Sequence, residues 1–316
     1  MNIAILNEVF LQPRHLDELR SLGEVVVFER SDSEEKVIER SKGAEVVIAD
    51  CWEAPLNANV FANLPDTKYM TIGSTGYDLV DVAAAKEHGV LVSNIPGFST
   101  ESVAEHVFAL LFAVSRHIVT GDAAMRRGPF VLDPANTSQQ VYKGIDLFGK
   151  TLGIVGMGQI GRRVAEIGNA LGMNVIGYNR TPRQIEGVGS VSLDTLLETS
   201  DVVTLHMALG SDNKELVNAE ALAKMKPTSY LINTARSGLV NDQDLATALR
   251  ENQIAGAGLD VVNDNTANNP LLALDNVVLT PHIAFFTDSA LENAADMIVA
   301  NVRAYLNGSP QNIVTI

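Results

Sequence analysis

Three residues at strand ends carry side chains suited to chemistry. Arg236 closes the apolar run of LINTARSG, His282 follows the run of LTPHIAF, and Asp260 ends GAGLD. A guanidinium grips a carboxylate or carbonyl through a planar fork. An imidazole gives up and takes back a proton near neutral pH. All three lie just past strand-like runs, at the edge where open α/β sheets bind ligands. A fourth feature indicates the ligand. Gly156-Met157-Gly158-Gln159-Ile160-Gly161 follows the apolar TLGIV and opens a helical pattern, and a second apolar run, NVIGY, comes next. In that context the glycines form a dinucleotide loop. Gly156 allows a tight turn, Gly158 lets backbone approach a pyrophosphate, and Gly161 lets helix pack close on strand. The helix N-terminus, with Gln159 and Ile160, then offers N–H donors to the phosphates. A dinucleotide loop, a cation and a proton donor together describe a nicotinamide enzyme.

The end of the second strand bears on which nicotinamide cofactor is used. An acid there would bind a ribose 2′-hydroxyl and repel a 2′-phosphate. This chain has Tyr178-Asn179-Arg180-Thr181. Asn179 is uncharged, and Arg180 and Thr181 suit a 2′-phosphate, with Arg183 as a further cation. NADP is therefore expected to be preferred, or at least accepted. The alternative is that Arg180 stacks on adenine and NAD is used.

These residues must be positioned by alternating strands and helices. IAIL (3–6), VVVF (25–28), VVIA (46–49), YMTIG (69–73) and VLVSN (90–94) read as buried parallel strands. Helical patterns lie between them, including 33–42 and 78–88. A long helix follows, capped by Ser99 or Thr100, and then an irregular stretch from about 121 to 150. From Thr151 a second series of six or seven strands begins, and a last helix covers about 288–306. The reading is an α/β protein of two doubly wound, Rossmann-like domains with parallel sheets and a cleft between them. One domain is 1–99 plus 287–316, flavodoxin-like and substrate-binding; the other is 100–286 and binds the dinucleotide.

Bulk properties narrow the field. The net charge of −15 repels phosphate backbones, so nucleic acid is not an expected partner. Charged and histidine side chains interrupt the most apolar stretch, 103–119, which reads as a buried helix and not a membrane span. The single cysteine, Cys51, allows no internal disulfide and fits a cytoplasmic protein. No metal site is expected.

With these motifs in place, the chain resembles the D-isomer-specific 2-hydroxyacid dehydrogenase family over nearly its whole length. IGSTGYDLVDVAAAKEHGVLVSNIPGFSTESVAEHVFALL, GKTLGIVGMGQIGRRVA, KPTSYLINTARSGLVND, AGAGLDVV and NPLLALDNVVLTPHIA carry the likeness. The glycerate dehydrogenase branch, which includes hydroxypyruvate and glyoxylate reductases, is the most similar in look; PHIAFFT also echoes the D-lactate dehydrogenase branch. The resemblance implies reduction of a small 2-keto acid to the D-2-hydroxy acid. It implies that Arg236 grips the substrate and that His282 is the acid/base. It gives the backbone N–H groups of Ser74, Thr75 and Gly76 to the substrate carboxylate. It gives Asp260, with Thr234 and Ala235, to the nicotinamide carboxamide. It puts His206 near the nicotinamide ribose, and Cys51 and Trp52 where the substrate side chain is read; for Trp52, core packing is an equal alternative. A homodimer is implied, with 121–150 as the clasping arm.

One departure stands out. The family pairs its histidine with a glutamate at the position held here by Asn265, or by Asp264 if the alignment slips by one. An amide does not stabilise an imidazolium by charge. His282 is then expected to hold its proton over a narrower pH range, with reduction favoured at lower pH. A neutral amide there also keeps a formate- or phosphite-type dehydrogenase as an alternative. A nucleotide-sensing, corepressor-like binding protein is a rival of another class, against which Arg236 and His282 speak.

Overall fold

A computed structural model of the protein describes residues 1–7, 9–128, 141–181, 183–264 and 266–314. The chain divides into two compact units, Met1–Ser99 with Phe286–Ile316, and Thr100–Phe285. Phe286 thus falls in the first unit, one residue earlier than the expected boundary. Its ring meets that of Phe10 edge-on, 6.4 Å away.

The first unit holds β1 (Asn2–Ile5), α1 (Pro13–Leu22), β2 (Glu24–Val27), α2 (Glu34–Arg40), β3 (Val46–Ala49), α3 (Ala58–Ala62), β4 (Tyr69–Ile72), α4 (Val82–Glu87) and β5 (Leu91–Ser93). The strands are parallel in the order β2-β1-β3-β4-β5. Winding reverses between β1 and β3, the flavodoxin-like arrangement. Every residue of β3 and β4 is buried, as their unbroken apolar runs require when both sheet faces are covered. Helix α4 is shorter than the 78–88 pattern, because the Asp81 carboxylate accepts the Ala84 N–H and sets the start of the helix.

The C-terminal helix, Asp288–Leu306, is capped by Thr287 and buries Ala294, Ala295, Ile298 and Val302. Asn301 on it donates to Thr71 Oγ1 at 3.2 Å and to the Asn94 carbonyl at 2.9 Å. Tyr305 stacks on Tyr69 with centroids 4.4 Å apart. The apolar stripe therefore finds its surface on the β4 side of the first sheet. Burial of a side chain such as Ile298 contributes roughly 1.5–3 kcal/mol.

The second unit holds α5 (Thr100–Ser115), α6 (Ile118–Arg127), β6 (Thr151–Val155), α7 (Gln159–Ala170), β7 (Asn174–Tyr178), β8 (Gly189–Ser190), α8 (Leu193–Thr199), β9 (Val202–Leu205), α9 (Ala219–Lys224), β10 (Tyr230–Asn233), α10 (Asp242–Arg250), β11 (Gly256–Leu259) and β12 (Val277–Leu279). Its sheet is parallel, in the order β12-β11-β10-β9-β6-β7-β8. Winding reverses between β6 and β9, the dinucleotide-fold crevice. The long helix expected from 100 onward is broken. His117 takes a left-handed conformation (φ 52°), and α6 leaves α5 at a 54° bend. Residues 121–127, expected to be irregular, are helical; of the proposed arm, 129–140 lies outside the described residues. Among the described residues no single helix is long and apolar enough to cross a membrane. None of their His, Cys, Asp and Glu side chains cluster as a metal site.

Candidate active site

The carboxyl edge of the first sheet gathers polar groups. Past β4, the Ser74 hydroxyl donates to the Gly76 carbonyl at 2.7 Å and the Thr75 hydroxyl to the Ile95 carbonyl at 3.0 Å. Asn94 Nδ2 donates to the Thr75 carbonyl at 2.7 Å. These bonds pin the 74–76 turn through its side chains and carbonyls. Among the described residues, the backbone N–H groups of Ser74, Thr75 and Gly76 donate to no protein acceptor. Such a turn is suited to an anion. Past β3, Cys51 is buried with its Sγ 3.2 Å from Ser74 Oγ. Trp52 is 50% exposed, which removes core packing as its role. Asp50 caps the same turn by accepting the Trp52 N–H at 3.0 Å, and burial pushes its carboxyl up. Asn7, fully buried at the end of β1, donates to Glu53 at 3.0 Å.

At the same edge of the second sheet the glycine loop follows β6. Gly156 has φ 100°, and a Cβ there would lie 2.5 Å from the His206 carbonyl. A Cβ on Gly161 would lie 2.1 Å from the Gly156 carbonyl. Neither position admits another residue without movement. A Cβ on Gly158 meets nothing within 4 Å, so that glycine leaves open space above the helix N-terminus. The first bond of α7 runs from the Arg162 N–H to the Gly158 carbonyl. The N–H groups of Gln159, Ile160 and Gly161 therefore have no acceptor inside the helix. Asn179 Oδ1 accepts the Met157 N–H at 2.8 Å, so this side chain braces the loop. Arg180 is exposed and pairs with Asp212 at 2.6 Å; Thr181 is exposed beside it.

His206 follows β9, with Nε2 2.9 Å from Thr204 Oγ1. Burial pushes its imidazole down to about 3, so the ring is neutral at pH 7. Past β10, the buried Asn233 accepts the Ala235 N–H and donates to the Arg236 carbonyl at 2.9 Å. This staple fixes the Thr234-Ala235-Arg236 turn. Thr234 Oγ1 is buried and has no protein partner among the described residues. Arg236 donates to the Ala235 carbonyl at 2.9 Å.

Asp260 organises the next turn. Its side chain is buried, and it accepts from Thr280 Oγ1 at 2.6 Å and from the N–H groups of Ile283 and Ala284 at 2.9 Å each. Its carbonyl accepts the His282 N–H at 2.9 Å. His282 sits in the left-handed region (φ 57°), a conformation costing roughly 1–2 kcal/mol outside glycine, and these bonds hold it there. Burial is the main force keeping the His282 imidazole below its ordinary value; the Asp260 carboxylate pulls it up and the Arg236 guanidinium pushes it down. Asp260 and Arg236 are thus both close enough for the His282 ring to feel their charge. Asn265 lies outside the described residues. Asp264 is described, and its carboxylate accepts the Thr266 N–H of its own loop at 2.8 Å.

Sequence reasoning passed over two participants. His106 places Nε2 3.0 Å from Thr280 Oγ1 and 3.6 Å from Asp260. Asp212 occupies the Arg180 guanidinium. Neither pairing leaves a local pattern, since the partners are 174 and 32 residues apart.

The second unit therefore fits a nicotinamide dinucleotide: an open glycine, unpaired helix N–H groups and an orphaned Thr234 hydroxyl all lie at one sheet edge. The comparisons agree. The profile of the D-isomer specific 2-hydroxyacid dehydrogenase NAD binding domain matches residues 108–284. A glycerate dehydrogenase from Methylorubrum extorquens is 39% identical over 97% of this chain and 98% of its own. A hydroxypyruvate reductase from Blautia hydrogenotrophica is 36% identical over 99% of both chains. Among solved structures, an acyclic imino acid reductase in complex with NADPH and D-Arg superposes with a TM-score of 0.93 at 34% identity, covering 100% of both chains.

Proposed function

Since the chain belongs to the D-isomer specific 2-hydroxyacid dehydrogenase family, we propose that it reduces glyoxylate, hydroxypyruvate or a similar small 2-keto acid to the D-2-hydroxy acid. The observation that carries this reading is the cluster of Arg236, Asp260 and His282 past β10, β11 and β12, beside a dinucleotide loop. A bound reduced nicotinamide supplies the hydride. Arg236 binds the carboxylate and polarises the carbonyl oxygen. His282, as imidazolium, gives its proton to that oxygen as the carbonyl carbon is reduced. The N–H groups of Ser74, Thr75 and Gly76 take the substrate carboxylate, and Trp52 contacts the substrate side chain. Asp260, Thr234 and Ala235 hold the carboxamide; the orphaned Thr234 hydroxyl supports this. His206 packs by the nicotinamide ribose as a neutral ring. In sequence, Asn265, or Asp264 if the alignment slips by one, holds the position of the family's glutamate.

NADP is the preferred cofactor in this reading. An uncharged Asn179 that braces the loop and an adjacent Arg180 support it, while Asp212 opposes it. The protein acts as a cytoplasmic homodimer, a state that light scattering on the purified protein checks. A panel of 2-keto acids assayed with NADH and NADPH tests the reading. Turnover of glyoxylate or hydroxypyruvate, abolished in Arg236→Ala and in His282→Phe, is the expected result.

A second reading has one supporting finding, the match to an imino acid reductase. The same residues would then reduce a 2-imino acid. Adding ammonia or a primary amine to the panel separates the two, because only imine reduction yields an amino acid.

A further inference from the structure

We propose that His106, on α5, is a positioning residue for His282, acting through Thr280 and Asp260. The inference rests on the reading of His282 as the proton donor. Its basis is a directed chain of hydrogen bonds. Thr280 Oγ1 donates to Asp260 Oδ1 at 2.6 Å. A hydroxyl has one proton, so the 3.0 Å contact between His106 Nε2 and Thr280 Oγ1 must be donated by His106. The chain runs from imidazole N–H to hydroxyl to carboxylate, each bond polarising the next. Asp260 then sends two outputs to the following turn. Its carbonyl accepts the His282 N–H, and its carboxylate accepts the Ile283 and Ala284 N–H groups. The left-handed backbone of His282 is held by Asp260 from both sides, with the Thr280 carbonyl sharing the His282 N–H at 3.1 Å.

Asp260 at the end of β11 raises, and Arg236 at the end of β10 lowers, the proton affinity of the His282 ring. His106 acts on Asp260 through the Thr280 hydroxyl and also directly, at 3.6 Å, and it influences the ring through that carboxylate. Donation by His106 and Thr280 withdraws negative charge from the Asp260 carboxylate. Removing the His106 donor leaves that carboxylate less compensated and its field at His282 more negative. His282 then binds its proton more tightly, while the turn that aims the ring is held less firmly.

His106→Leu and His106→Gln form the test, because glutamine keeps an N–H donor of comparable reach. The His282 imidazole is titrated by NMR in the protein without cofactor, and reduction is measured against pH. In His106→Leu the His282 midpoint is expected to rise by on the order of half a pH unit. Its kcat should fall roughly two- to tenfold, the range spanned by a single hydrogen bond. His106→Gln should lie near the parent. Thr280→Val breaks the hydroxyl link but leaves the 3.6 Å approach of His106 to Asp260, so adding His106→Leu to it should shift the midpoint by less than His106→Leu does alone. A His282 midpoint that stays put or falls in His106→Leu, or effects that add in the double variant, would overturn the proposal. Absence of 2-keto acid turnover in the parent protein would instead overturn the functional reading, and the titration separates the two.

Discussion

Asp260→Asn removes a carboxylate that accepts three hydrogen bonds inside the second unit. The wild-type group takes Thr280 and Ile283 on one oxygen and Ala284 on the other. An asparagine has a single oxygen. If that oxygen keeps Thr280 and Ile283, its NH2 group faces the Ala284 N–H, donor against donor. One hydrogen bond to a charged group is lost, about 1.5–3 kcal/mol, and two others weaken to neutral strength. Relief from burying a charge offsets part of this. A net loss of about 2–3 kcal/mol corresponds to roughly 5–10 °C in melting temperature for a unit of this size. A second effect separates this account from simple destabilisation. Asp260 pulls the His282 imidazole up, so its neutralisation lets the midpoint fall. For reduction, the limb at which rate declines with rising pH should move to lower pH. Differential scanning calorimetry and a pH profile of kcat/KM read the two effects. An unshifted limb together with an unchanged melting temperature would refute the role given to Asp260.

Three other substitutions probe the remaining parts of the site. Asp212→Asn frees Arg180 from its 2.6 Å ion pair and removes a charge that repels a 2′-phosphate; since the pair is exposed, the ratio of NADPH to NADH kcat/KM should rise only about two- to fivefold. Gly161→Ala puts a Cβ 2.1 Å from the Gly156 carbonyl and should weaken dinucleotide binding at least tenfold by fluorescence titration, whereas Gly158→Ala leaves the fold stable because its Cβ meets no protein atom. His206 has a folded value of about 3 against an ordinary 6.5, so the unfolded chain takes the proton first. Its contribution is complete above about pH 6.5 and is lost as pH falls towards 3, at no more than about 1.4 kcal/mol per pH unit. His206→Gln should therefore flatten the fall of melting temperature between pH 6.5 and 4.

What was legible in the sequence follows from what is local. A strand, a glycine turn and a helix are consecutive, so Gly156, Gly158 and Gly161 declared themselves, and Arg236, Asp260 and His282 stood out at strand ends. The paired use of His106 and Asp212 depends on where distant segments land, which no periodicity records. The break at His117 escaped notice because the apolar pattern runs on through Ile118 and Val119, while the backbone reverses to the left-handed region at one residue. In the sequence Asn179 shows only its missing charge; its bond to the Met157 N–H gives it a second task. Trp52 fits core and site equally in the sequence, and its exposure excludes the core.

Purified protein mixed with glyoxylate or hydroxypyruvate and either NADPH or NADH, followed by the loss of nicotinamide absorbance and by chiral analysis of the product, tests the proposed chemistry most directly. The expected result is oxidation of the cofactor with formation of D-glycerate from hydroxypyruvate, faster at lower pH and lost in His282→Phe. No cofactor oxidation with any 2-keto acid, or turnover undiminished in His282→Phe, would contradict it.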